Sequence, residues 1–397
     1  MAKYVEDEYE EERPKKKSSS GGKKPSGKKK SGSKGSGKKG SGKKGSSKKQ
    51  QAKKQRRRII IFIVEIIILV VAVFVLYSVL TATKGGKMEI KEDAIIINET
   101  VKEHEETTMK GYRNIALFGV DSTNGALTKN TRSDTIMIAS FNLDTGECKL
   151  VSVYRDTYLN LSNDTYNKCN AAYAKGGPEM AINMLNMNLD MNITDFVTVG
   201  FAGLTDTIDS LGGVYIDVDD AEINHLNNYQ LCMAEDLKRS YTPVSSTGYQ
   251  LLNGLQATGY CRIRYTAGDD FKRAERQREV LSAVADQAKK ASLPKLTETA
   301  NAVFEETYTS LDLSEIVEML GDVNNYYISE TAGFPEESHR ATGTIGSKGS
   351  CVIPVTLEDN VKWLHQFLFD DYDYEPSATV KECSEHIYSD TNGYLNK

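Results

Sequence analysis

Hydrophobic positions fall into one long run followed by many short ones. Residues 59–80 make the long run, 22 residues in which Glu65 is the only charge. At about 1.5 Å per residue, a helix of that length crosses a hydrocarbon core of roughly 30 Å. The pattern therefore predicts a transmembrane helix. Residues 81–110 are polar and acidic apart from an apolar run at 95–97, and read as a stalk. Short apolar runs then predict strands at 114–120, 134–141, 149–154, 196–201 and 214–218. Turn residues at 144–147 join the second and third of these into a hairpin. Helices are predicted at 167–174, at 178–189 with Pro178 in the first turn, and at 203–211, stopping at Gly212-Gly213. Residues 219–247 are polar without a clear period and read as an irregular excursion or lid. Helices follow at 252–260, 271–290 and across 292–322. A strand near Val352 and a helix at 357–369 close the domain, leaving 376–397 as a polar tail. This mixed order predicts an α/β domain over 111–375, a three-layer α-β-α arrangement with a mixed central sheet.

Charge divides the chain more sharply than hydropathy does. Residues 13–58 hold 21 Lys or Arg and no acid, while from residue 59 onward 28 basic residues face 49 acidic ones. The Lys/Ser/Gly-rich segment 1–58 lacks core-forming residues and predicts a disordered tail. Its positive charge ahead of 59–80 predicts a single-pass cell-membrane protein, N-terminus cytoplasmic and the remainder outside. A secretory signal peptide fits poorly, because the run is too long and no small-residue cleavage site follows. The basic stretch suits anionic membrane lipid. It lacks the interleaved aromatics of a nucleic-acid binder. The six cysteines contain no C-x-x-C spacing and the five histidines form no helical pair, so no zinc site is expected.

Against the acidic background, residues 262–278 carry five arginines in seventeen positions: Arg262, Arg264, Arg273, Arg276 and Arg278. Arginine is suited to bidentate phosphate binding. Three further strings lie at predicted strand ends: Gly119-Val120-Asp121, Arg132-Ser133-Asp134-Thr135 and Tyr154-Arg155-Asp156-Thr157. Together they suit a pyrophosphate. The arginines neutralise it, and Asp121 and Asp134 are apt ligands for Mg²⁺ (or Mn²⁺) shared with phosphate oxygens. Arg273, Arg276 and Gln277 share one helix face by spacing. A bend after Tyr260 is needed to bring Arg262 and Arg264 to the same side. Arg278 and Lys272 read as solvated charge. Asp156, Asp270 and the metal-bound phosphate itself are the candidate proton acceptors.

These strings, with Lys168-Cys169-Asn170-Ala171-Ala172-Tyr173, Leu211-Gly212-Gly213-Val214 and Leu252-Asn253-Gly254-Leu255-Gln256-Ala257, occur in order over residues 115–290. In this the chain resembles the LytR–CpsA–Psr family of envelope phosphotransferases. The resemblance implies transfer of a glycopolymer from a polyprenyl-pyrophosphate donor to a peptidoglycan acceptor, forming a phosphodiester. It implies Mg²⁺ at Asp121 and Asp134, and phosphate contacts from Arg132, Arg155, Arg262, Arg264, Arg273, Arg276 and Gln277. Arg155, Asp156, Asp270 and Arg276 are the expected catalytic set. It also implies an apolar tunnel for the lipid. Met180, Ile182, Met184, Leu185 and Met187 are candidate lining, although ordinary core is the favoured explanation of each one taken singly. Cys169 and Tyr154 depart from the family's usual aliphatic residue and proline. Two other readings use the same residues: a lipid-pyrophosphate hydrolase, and a non-catalytic anchor or regulator that holds wall polyanion.

Overall fold

The computed structural model describes residues 86–395 apart from 123–126, 129, 265 and 267. The tail and the transmembrane helix expected over 1–58 and 59–80 lie outside the described residues. Among those that are described, no helix is long and apolar enough to cross a membrane.

In chain order the strands are β1 (Gly86–Lys87), β2 (Tyr112–Val120), β3 (Ser133–Asn142), β4 (Glu147–Val153), β5 (Tyr158–Asn160), β6 (Tyr166–Lys168), β7 (Asp195–Val199), β8 (Val214–Val218), β9 (Gly248–Leu252), β10 (Thr307–Thr309), β11 (Tyr327–Phe334), β12 (Arg340–Thr344) and β13 (Ser350–Pro354). The helices are α1 (Glu99–His104), α2 (Asn170–Leu189), α3 (Phe201–Ser210), α4 (Asp220–Leu237), α5 (Gly254–Tyr260), α6 (Asp269–Lys290), α7 (Leu293–Val303), α8 (Leu313–Gly321), α9 (Leu357–Phe369) and α10 (Ala378–Thr391).

Among the described residues, seven strands form the central sheet in the order β1-β10-β7-β2-β3-β4-β11. β2 runs parallel to β7 and antiparallel to β3, and β3 is antiparallel to β4. The sheet is therefore mixed, and the C-terminal ends of β2, β4 and β7 meet the N-terminal end of β3 along one rim. The apolar runs of β2 and β3 make these strands central, because they are covered on both faces. On one face Phe118, Ile136 and Ile138 pack with Ile182 and Leu185 of α2. On the other, Ala139 and Leu150 meet Leu281 of α6. Each of the fully buried side chains Phe118, Ile136, Ile138, Leu150, Ile182 and Leu185 contributes about 1.5–3 kcal/mol relative to exposure.

Several expectations are corrected here. The polar stretch read as an irregular lid contains the 18-residue helix α4, opened by a capping box between Asp219 and Glu222. Its buried positions include Glu222, Leu226, Gln230 and Met233, so polar residues on the inward face conceal the helical period. The stalk is part of the domain from Gly86 onward: β1 joins the sheet edge, and buried Asn98 donates to Asp190 Oδ1 at 2.6 Å. The polar tail contains α10, which docks through Val380, Cys383 and Ile387. The two helices expected around Pro178 are both present as the halves of α2, which meet at a kink at Gly177, whose φ of 71° is the left-handed conformation glycine tolerates. The first half starts at Asn170 and not at 167, because residues 166–168 form β6.

Candidate active site

The site forms along the rim where the central strand ends converge. Val120 of β2 is the register partner of Ser133 of β3, which brings Asp121 and Asp134 out of neighbouring strands. One residue back, Gly119 lies against Thr135. A Cβ at Gly119 would come within 2.8 Å of the Thr135 hydroxyl, so the close pairing of the two strands at the rim depends on glycine there. Tyr154, Arg155 and Asp156 leave the end of β4, and the Asp156 carbonyl is fixed by a 2.9 Å bond from Val352 N.

Arg155 is the hub. Its Nη1 donates to Asp134 Oδ1 at 2.7 Å, and its Nη2 lies 3.5 Å from Asp270 Oδ2. Arg264 Nη2 reaches the other Asp134 oxygen at 3.2 Å and its Nε lies 3.6 Å from Asp270 Oδ1, while Arg273 Nη1 sits 3.2 Å from that same oxygen. Asp156 is paired with Lys168 at 3.1 Å. Arg155 Nε also lies 3.6 Å from Asp156 Oδ2, so three guanidiniums and Lys168 share three carboxylates, leaving an excess of positive charge at the rim. Burial works against the charge of Arg155, but Asp134, Asp270 and Asp156 outweigh it and raise its pKa. Arg273 fares differently. Burial, then the charges of Arg155 and Arg264, push its pKa down to about 10. It remains a cation at neutral pH, one that a further anion would stabilise. Burial opposes ionisation of Asp270, yet Arg273, Arg155 and Arg264 hold its pKa below the usual carboxylate value.

From this cluster an apolar cavity of about 410 Å³ runs between the sheet and the helices. Asp121, Asp134, Arg262, Arg264, Arg273 and Gln277 line its charged end. Phe201, Leu204, Tyr229, Leu281 and Val284 line the apolar part. One face of α6 accounts for the transition, because Arg273, Gln277, Val280 or Leu281, and Val284 follow at steps of three or four. The Arg262 guanidinium is held over the Phe201 ring at 4.4 Å. On the other side of Asp134, Arg273 and Gln277 is a smaller cavity of about 140 Å³, lined also by Arg155, Asp156 and Asp270.

The structure brings together most of the predicted residues: Asp121, Asp134, Arg155, Asp156, Arg262, Arg264, Asp270, Arg273 and Gln277 all line one or both cavities. The bend after Tyr260 is present, since α5 ends there and Arg262 and Arg264 both face the larger cavity. Arg132 is exposed and lines neither. Arg276 departs from the expected role. It is 1 % exposed, and its Nε is bound to Glu222 at 2.7 Å. Its remaining nitrogens donate to Ile263 O at 3.2 Å and Thr266 Oγ1 at 2.7 Å. It thus clamps the segment that carries Arg262 and Arg264 and does not face the cavities. Helical spacing and the family resemblance both put Arg276 beside Arg273, but one helical face is wide enough to point its two margins at different neighbours. Arg278 is buried, contrary to the expectation of solvated charge, and its Nε and Nη1 have no hydrogen-bond partner among the described residues. Burial lowers its pKa, against smaller opposing effects of Tyr154 and Glu275. Lys272 pairs with Glu275 at the surface, as expected of solvated charge.

The Met180–Met187 group does not line the cavity. Ile182, Met184 and Leu185 are fully buried in the core on the opposite face of the sheet. The lining that sequence reasoning missed, Leu281 and Val284, was signalled by their spacing from Arg273 and Gln277. No cysteine is disulfide-bonded, and Cys232 alone of the six is exposed.

Residues 75–343 match the LytR_cpsA_psr family, which takes in every charged site residue described above. The chain belongs to this family. It is 30% identical over 189 residues to the polyisoprenyl-teichoic acid–peptidoglycan teichoic acid transferase TagV of Bacillus subtilis (strain 168), an alignment covering 46% of each chain. It is 31% identical over 220 residues to biofilm regulatory protein A of Streptococcus mutans, covering 52% of each. The chain therefore spans about half the length of these curated relatives. The crystal structure of B. subtilis TagV superposes with a TM-score of 0.52 at 26% identity, covering 67% of this chain and 99% of that one. In this LytR_cpsA_psr member the match ends at residue 343, so β13, α9 and α10 lie beyond it.

Proposed function

We propose that the chain is a membrane-anchored phosphotransferase that moves an anionic glycopolymer from a polyprenyl-pyrophosphate carrier onto peptidoglycan. The observation that carries this reading is the joining of the apolar cavity to the guanidinium cluster. A polyprenyl chain suits the Leu204–Leu281–Val284 end, and a pyrophosphate suits Arg262, Arg264 and Arg273 at the other. The family membership and the name of TagV support the same chemistry.

In the reaction, an acceptor hydroxyl oxygen bonds to the phosphorus that bears the glycopolymer. The bond from that phosphorus to the bridging oxygen breaks, and polyprenyl phosphate leaves. Negative charge grows on the bridging oxygen. Arg155, Arg264 and Arg273 are already assembled around that position, so they stabilise it without rearrangement. Asp270, pinned by three guanidiniums, is a poor proton acceptor. Its role is to hold the arginines together. Asp156 in the smaller cavity, held by Lys168 and Arg155 and not by three guanidiniums, is the better candidate to take the hydroxyl proton, and that cavity suits the acceptor.

Asp121 and Asp134 fit a Mg²⁺ or Mn²⁺ ion, because two carboxylates from adjacent strands face one cavity mouth. No group of three or more His, Cys, Asp or Glu that could hold a metal occurs among the described residues, so the donor's phosphate oxygens would complete the shell. The ion would supply further charge neutralisation on the pyrophosphate. A single span at 59–80 with a cytoplasmic tail would place the domain outside the membrane.

The test is to incubate the full-length chain in detergent with a lipid-pyrophosphate glycan and Mg²⁺, with and without peptidoglycan oligomers. The expected result is glycan joined to the oligomer and release of lipid monophosphate. Release of lipid monophosphate with no glycan attached under any condition would establish a hydrolase instead.

A further inference from the structure

A third concavity lies near the opposite end of β4 from the charged cluster. Lys149 and Arg155 are six positions apart on extended chain, about 20 Å at 3.3 Å per residue. The groove is open and has a volume of about 430 Å³. Trp363 and Phe367 of α9 contribute one side, with ring centroids 5.5 Å apart and planes within 15° of parallel. Tyr372, 74% exposed, also lines it. Glu147, Glu330 and Asp370 add carboxylates, and Gln366 an amide. Lys149, the one basic residue of the lining, is already engaged. Its Nζ lies 3.2 Å from Asp370 Oδ1 and 5.8 Å from the Phe367 ring centre.

Two backbone features shape this groove. Asp370 ends α9 in the left-handed conformation, φ 54°, which turns the chain sharply ahead of Tyr372. Glu330 sits where the pairing of β11 with β4 shifts register after Ile328, a bulge that re-aims side chains on an edge strand. These features do not contribute to the charged site, and Trp363 to Tyr372 lie beyond the family match.

The lining chemistry selects a ligand. Near-parallel aromatic rings offer flat surfaces for the C–H faces of pyranose rings. Carboxylates accept from sugar hydroxyls and acetamido N–H groups, and these charge-assisted bonds are strong. Three carboxylates against one engaged lysine repel a polymer of phosphates or carboxylates. We infer that this groove binds a stretch of uncharged, N-acetylated polysaccharide, a second glycan-binding site remote from the pyrophosphate cluster. The inference stands apart from the transfer reaction, because no residue of the groove belongs to that site.

Trp363 is the only tryptophan of the chain, so its emission reports directly on the groove. The full-length chain in detergent is titrated with an N-acetylglucosamine tetramer and, separately, with poly(glycerol phosphate). A saturable emission change with the tetramer and none with the polyanion is expected. Tyr372→Ala, at an exposed position, should weaken tetramer binding at least tenfold, as should Glu330→Ala. Asp134→Ala should bind the tetramer like the parent even with transfer abolished, which keeps this inference separable from the proposed reaction. Absence of a saturable response to the tetramer, an equal response to the polyanion, or tetramer binding unchanged in both groove variants would each overturn it.

Discussion

Two sets of ion pairs, both involving α6, behave as opposites. At the rim, Arg155, Arg264 and Arg273 share Asp134 and Asp270, with side chains between 5% and 33% exposed and more positive than negative charge. One turn along the helix, Arg276 and Glu222 form a closed one-to-one pair with side chains 2% and 3% exposed. The first arrangement is incomplete and gains from an anion. The second is complete and gains nothing. Burial therefore does not separate the functional arginines from the structural one, since Arg273 and Arg276 are both buried. Local charge balance and a cavity in front of the guanidinium do.

The largest effect that sharpens this contrast is on turnover. Arg264→Ala and Asp134→Ala should each lower transfer by a thousandfold or more, about 4 kcal/mol of transition-state stabilisation. Urea unfolding of Arg264→Ala should show a loss under about 1 kcal/mol, because its partly exposed pairs are weak and their loss relieves repulsion. Full turnover in both variants with Mg²⁺ present would remove the cluster from the reaction.

Arg276→Ala should do the reverse, losing about 3–5 kcal/mol of stability by leaving Glu222 buried and unpaired. A double variant, Glu222→Gln with Arg276→Met, should recover a large part of that loss. The segment 262–266 would still lack its clamp, so turnover should stay reduced. Recovery of stability and rate together would show that the pair does not position Arg262 and Arg264.

Adding inorganic pyrophosphate probes the same contrast without mutation. An anion that neutralises the open cluster stabilises the folded state by mass action, about 2.7 kcal/mol at one hundred times its dissociation constant. The melting temperature should rise with pyrophosphate, less so at high salt, and the rise should shrink in Arg264→Ala. An equal rise in parent and variant would place the anion elsewhere.

The rim was legible in the sequence because its parts are local: apolar runs ending in Asp121 and Asp134, and an arginine cluster in an acidic background. Strands β2, β3 and β4 and their hairpin followed from the same runs. The remainder depends on long-range partners. Nothing near Arg276 in sequence announces Glu222, and polar residues at the inward positions of α4 masked its helical period. Strand β11 has few buried positions and was invisible to a search for apolar runs. The cavity wall was missed for a different reason. Its apolar residues continue the arginine face of α6, but their spacing is equally that of an ordinary core-facing stripe, so the sequence does not distinguish a cavity wall from packed core.

The smallest expected effect concerns Arg278, which belongs to neither set. It is buried like Arg276, but its Nε and Nη1 have no hydrogen-bond partner among the described residues, and it is charged like Arg273 but faces neither cavity. A buried cation with two of its nitrogens unbonded carries a desolvation penalty that is only partly offset. Methionine keeps much of the volume and removes the charge, so Arg278→Met should leave turnover unchanged and raise stability by about 1 kcal/mol. Urea unfolding decides the point. A loss of 2 kcal/mol or more would mean that this guanidinium is paired in solution, and charge balance would then fail as the rule that sorts the arginines of α6.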